Sequence, residues 1–134
     1  MKYFTEKLEL FSSTVTDSIG KEIVINSITN FNWDSLYVIT PYTPKEVISS
    51  RFGFNPYDES YAEISSRDDI NLLLFVKEKK VILTVEYPID KGDFFEIKSP
   101  HGFSKNDAIF VLKMKKWGGH DKLVFYNKLF HISL

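Results

Sequence analysis

Residues 31–54, FNWDSLYVITPYTPKEVISSRFGF, set a tryptophan beside an aspartate, Trp33-Asp34, shortly before a Pro-Tyr pair, Pro41-Tyr42. An aromatic platform next to a carboxylate is the pairing that a sugar or amine site uses. A two-carboxylate hydrolase needs a second acid at a defined separation, and the spacing here supplies none. A Trp entering a strand otherwise belongs to the core, and the Asp beside it caps or turns the backbone. That architectural role is the expectation adopted for both residues.

The other chemically capable side chains are scattered. His101, His120 and His131 form neither an HExxH nor an HxH spacing, so no metal site is expected. Ser104 lies near His101 without the GxSxG elbow of a hydrolase nucleophile, and no Gly-rich phosphate loop is present. No catalytic residue and no cofactor are expected. An enzyme would have to bring Asp34 within hydrogen-bond reach of a histidine. The segment KMKKWGGHDK, with Phe125 and Tyr126 beyond it, mixes cations and aromatics as single-strand nucleic-acid binders do. Given the overall charge, the reading adopted is a hairpin in which Lys113 and Lys115 face water while Leu112 and Met114 face the core, and no nucleic acid is expected as partner.

The most distinctive surface candidate is acidic. Tyr57, Asp58, Glu59, Tyr61, Glu63, Asp68 and Asp69 crowd a polar stretch that is long for a loop in a compact domain. Carboxylates around exposed tyrosines steer and hold a basic protein partner, the charges setting the on-rate and the rings acting as anchors. These seven residues are the predicted partner-binding set.

Composition narrows the setting. The chain has 134 residues, 43% apolar and 16% aromatic, which predicts a single domain over 1–134 with a genuine core. The net charge of −1 makes no demand for nucleic acid or an acidic membrane as partner. With no cysteine there is no disulfide framework, thiol catalysis or cysteine-ligated zinc. Glu6, Glu9 and Asp17 interrupt the start where a signal peptide needs an apolar run, and no segment approaches a membrane span. A cytoplasmic protein is expected.

These residues must be positioned by local elements. Phe4, Leu8, Phe11, Val15 and Ile19 recur at helical spacing, predicting an amino-terminal helix ended by Gly20. Strands are expected over 21–29 and 33–40. Thr43 as N-cap, Pro44 at the first helical position and Glu46 closing a capping box predict a short helix, with Val47, Ile48 and Phe52 buried and Gly53 as stop. INLLLFV reads as a central strand covered on both faces, forming a hairpin with VILTVEY across KEKK. A short strand over 94–97, a hairpin through WGGHD and a terminal strand FHISL complete the order. The predicted class is α+β: a largely antiparallel sheet with an amino-terminal helix and a short helix packed on one face.

The run FNWDSLYVITPYTPKEVI, followed by INLLLFVKEKKVI, resembles a pattern in small bacterial proteins in which a WDxxYxxxPY strand leads into a short helix and an apolar hairpin. The resemblance spans roughly residues 28–86 and implies fold, without transferring a catalytic residue. Many of those proteins carry a lipoprotein signal with a cysteine, which this chain lacks, so envelope anchoring is not implied. In its general character, short, cysteine-free and rich in Lys, Ile, Phe and Asn, the chain also resembles bacterial immunity proteins of contact-dependent and other polymorphic toxin systems. That resemblance implies a non-enzymatic protein whose partner is a cognate toxin domain. The alternative is a small-ligand-binding or envelope-associated accessory domain with Trp33 and Tyr42 at the rim of an apolar pocket.

Overall fold

The computed structural model describes residues 6–7, 20–52, 64–97 and 101–128 of the chain. Among the described residues, seven strands, β1 Glu22–Val24, β2 Ser35–Ile39, β3 Ile70–Lys77, β4 Lys80–Pro88, β5 Phe103–Ser104, β6 Ile109–Trp117 and β7 His120–Asn127, accompany the helix α1 Lys45–Phe52. The strands form two antiparallel sheets rather than one: β1-β6-β7 and β4-β3-β2-β5. The fold is thus α+β, with antiparallel sheets and a short helix. The expected amino-terminal helix lies outside the described residues except for Glu6 and Lys7, which are helical. The Gly53 stop and the FHISL strand also lie outside them.

The four-stranded sheet is central because β2 and β3 are apolar on both faces. Along β3, Leu73 and Phe75 enter one core with Ile23, Phe110, Leu112 and Phe125 of the three-stranded sheet. The alternate residues Ile70, Leu72, Leu74 and Val76 enter a second core with Ile48 and Phe52 of α1. The order of layers is therefore sheet, sheet, helix. Tyr37 on β2 meets Phe52 edge-on at 4.7 Å, and burial pushes its phenol pKa up. Between the sheets, Phe94 stacks on Phe125 at 4.5 Å and meets Phe110 edge-on at 5.6 Å.

Several local expectations are corrected. The strand over 21–29 shrinks to β1, because Ile25–Ser27 winds into a 3-10 turn that buries Ile25. Residues 94–97 form a turn and not a strand, closed by the Ile97 amide donating to the Phe94 carbonyl at 2.9 Å. Val47 is 39% exposed, leaving Ile48 and Phe52 as the buried face of α1. The Thr43 hydroxyl donates back to the Thr40 carbonyl at 2.7 Å, while the Pro44 carbonyl accepts from both Val47 and Ile48. Thr43 thus ties the helix start to the end of β2.

The β3–β4 hairpin turns through Glu78 and Lys79, whose φ angles are 51° and 62°. Two successive positive φ values define the type I′ geometry that Asn-Gly fits best, and a side chain other than Gly or Asn is strained there. Placing Asn-Gly at 78–79 is expected to raise stability by about 1 kcal/mol, seen as a higher urea midpoint.

Candidate functional site

Trp33 is fully buried in the inter-sheet core, edge-on to Phe75 at 5.2 Å, with its indole N–H donating to Thr29 Oγ1 at 3.0 Å. It offers no face to a ligand. Asp34 Oδ2 accepts the Glu78 amide at 2.7 Å, so the carboxylate props the strained β3–β4 turn from the adjacent strand. Both residues play the architectural part expected of them. Tyr42 is 61% exposed, whereas the indole is fully buried. His101 and His120 are exposed, and His131 lies outside the described residues. Among the described residues, no three His, Cys, Asp or Glu side chains gather where they could hold a metal ion, and no helix is long and apolar enough to cross a membrane.

The cationic hairpin β6–β7 is occupied internally. Lys115 pairs with Glu96 at 2.8 Å, and that carboxylate holds the ammonium pKa above its ordinary value. Lys122 pairs with Asp93 at 2.5 Å. Both ammonium groups lie over the Phe95 ring, at 5.2 and 5.0 Å from its centroid. Phe125 is fully buried, so it cannot stack on a base. The hairpin follows the simpler of its two readings in placing Leu112 inside, although Met114 is 40% exposed.

Of the predicted partner-binding residues, Tyr57, Asp58, Glu59, Tyr61 and Glu63 lie outside the described residues. Asp68 and Asp69 are exposed at the entry to β3, just after a 3-10 turn over 64–66. The Arg67 guanidinium grips Asp69 through two bonds of 2.9 and 2.8 Å and reaches Glu86 on β4 at 2.6 Å. Arg67 accordingly holds the Asp69 carboxyl below the usual carboxylate range. The ladder explains the meeting: Ile39 faces Leu72 and Leu72 faces Glu86, so the end of β2, the start of β3 and the end of β4 share one end of the sheet. The Tyr42 amide donates to the Ile64 carbonyl at 3.0 Å, which brings the exposed phenol to the same end. Two exposed carboxylates, Asp69 and Glu86, therefore flank one guanidinium, with Asp68 exposed next in the chain and Tyr42 at the same end of the sheet.

The sequence reading missed a second polar constellation, inside the protein. Asp93 follows the 3-10 turn Ile89–Lys91 and pairs with Val124 alongside β7. Its Oδ1 accepts from Asn71 Nδ2 at 2.9 Å and from the Phe95 amide at 3.0 Å, while Oδ2 takes Lys122. Asn71 and Asp93 are both buried, the asparagine completely. One carboxylate thus joins β3 of one sheet to β7 of the other. The available signal was Asn71 itself, the one polar residue inside INLLLFV.

Comparison with protein families, curated proteins and solved structures finds no match.

Proposed function

We propose that this protein is a non-enzymatic cytoplasmic immunity protein that binds a cognate bacterial toxin domain and covers its active site. The observation that carries this reading is the end of the four-stranded sheet where Asp69 and Glu86 lie exposed on Arg67, with the exposed Asp68 and Tyr42 at the same end. A net negative, aromatic-bearing surface suits a basic partner, whose encounter it accelerates by long-range attraction. The conspicuous Trp33-Asp34 pair serves the folded body, which leaves recognition to the exterior. Tyr57, Asp58, Glu59, Tyr61 and Glu63 complete the proposed contact set.

The test pairs the chain with the toxin domain encoded beside its gene. Reversing both Asp68 and Asp69 to lysine is expected to slow association about tenfold and to flatten its dependence on salt, because the steering charge is gone. Binding and protection that survive the double reversal unchanged would remove this surface from the proposal. A neighbourhood with no toxin gene would count against the immunity role as a whole. The fold should tolerate the change, since exposed ion pairs such as Arg67–Asp69 contribute little to stability.

A further inference from the structure

We propose that the side chains of Lys122 and Asn71 become joined by an amide bond, with Asp93 moving the protons between them. The three groups meet at one buried carboxylate: Lys122 Nζ is 2.5 Å from Asp93 Oδ2, and Asn71 Nδ2 is 2.9 Å from Oδ1. Asn71 Oδ1 is buried with no hydrogen-bond partner among the described residues, although an unmet buried carbonyl is costly. The surroundings are aromatic. Phe95 lies beneath the ammonium, and the fully buried Tyr87 faces Asn71 across the β3–β4 ladder. A part-exposed nucleophile, a buried proton carrier and a buried, unheld carboxamide carbonyl are thus gathered at one carboxylate.

The chemistry balances with these groups alone. Proton transfer from Lys122 Nζ to Asp93 Oδ2 leaves an amine and a carboxylic acid side by side. Rotation of the Asn71 amide about Cβ–Cγ then lets the acid O–H donate to its carbonyl oxygen and polarise it, as a general acid does. The Nζ lone pair adds to Asn71 Cγ, the Cγ–Nδ2 bond breaks, and the departing nitrogen takes up the protons that Nζ gives up. An ammonium and a primary amide become a secondary amide and an ammonium ion, with no oxidant and no cofactor. Fixed proximity replaces the collision that makes such an exchange slow in solution. The product is a covalent tie from β3 to β7 across the two sheets.

Intact-mass measurement of the full chain, denatured, decides the matter. The expected mass is lower than that of the sequence by one ammonia. A tryptic digest should then hold residues 68–77 bound to residues 117–128, with Lys122 uncleaved. Lys122→Arg keeps a cation beside Asp93 but should restore the full mass. The proposal is overturned by a wild-type mass equal to that of the sequence. It is also overturned by a deficit of one water, which would place the bond on Asp93. An ammonia deficit that persists in Lys122→Arg, or that comes without the linked peptides, equally rejects it, since cyclisation of an asparagine on its own backbone loses ammonia too.

Discussion

Gly92→Ala is expected to destabilise the protein by about 3 kcal/mol or more, among the larger single-residue effects available to it. Two costs fall on one atom. Gly92 has φ +142°, a region that residues with a Cβ rarely enter, and a Cβ built there would overlap the Phe125 ring. That ring cannot yield cheaply, because it is fully buried and stacked on Phe94 at 4.5 Å. Gly119→Ala is the natural control: its φ is +95°, yet nothing lies within 4 Å of the added carbon. It should lose only the conformational share, about 1 kcal/mol. Urea titration of both variants measures the difference, and equal midpoints would refute the packing argument.

In the chain before the Lys122 and Asn71 side chains are joined, Asp93→Ala should cost about 3 kcal/mol, whereas Asp69→Ala should leave stability nearly unchanged. Both aspartates accept two or more charged or amide donors, so their bonding alone does not separate them. Burial does. Asp93 is 3% exposed, and its removal takes an acceptor from the Lys122 cation, from the fully buried Asn71 amide and from the Phe95 N–H. Lys122 keeps 27% of its side chain in solvent, which places the cost at the lower end for a broken buried pair. Replacing both partners with apolar residues, Asp93→Leu with Lys122→Met, should recover part of the loss, because no charge is then left without its counterpart. Asp69 behaves differently with pH as well as with mutation. Its lowered folded pKa means that the Arg67 pair contributes above the ordinary carboxylate range and fades as pH falls through the folded value.

Much of the fold was legible because burial leaves a periodic trace. INLLLFV has no polar alternation, and β3 is indeed covered on both faces. The two long hairpins follow from apolar runs separated by charged or Gly-containing turns. The division into two sheets had no such trace: Ile23 pairs with Phe110, and no local pattern reports a partner so far along the chain. Residues 94–97 misled because Phe94, Phe95 and Ile97 are residue types that favour strands, whereas the Asp93 carboxylate, accepting the Phe95 amide, winds the backbone into a turn. Val47 misled because helical spacing does not say how far a helix sinks into its sheet. At the acidic end, the contact of Arg67 with Asp69 is local, but the reach to Glu86 depends on the β3–β4 ladder, which sequence order conceals. Asn71 was visible as an oddity, though its partners Asp93 and Lys122 become neighbours only when the sheets close.

The pairing of β1 with β6 constrains how the chain is made. Residues 22–24 leave the ribosome early and must wait for residues 109–111 before their ladder can form. Until then the nascent chain carries Leu73, Phe75, Val85 and Tyr87 with no opposing sheet to receive them. Native structure between the sheets consequently waits for residues 109–127 to be made, and in the interval before it these apolar side chains are open to wrong partners.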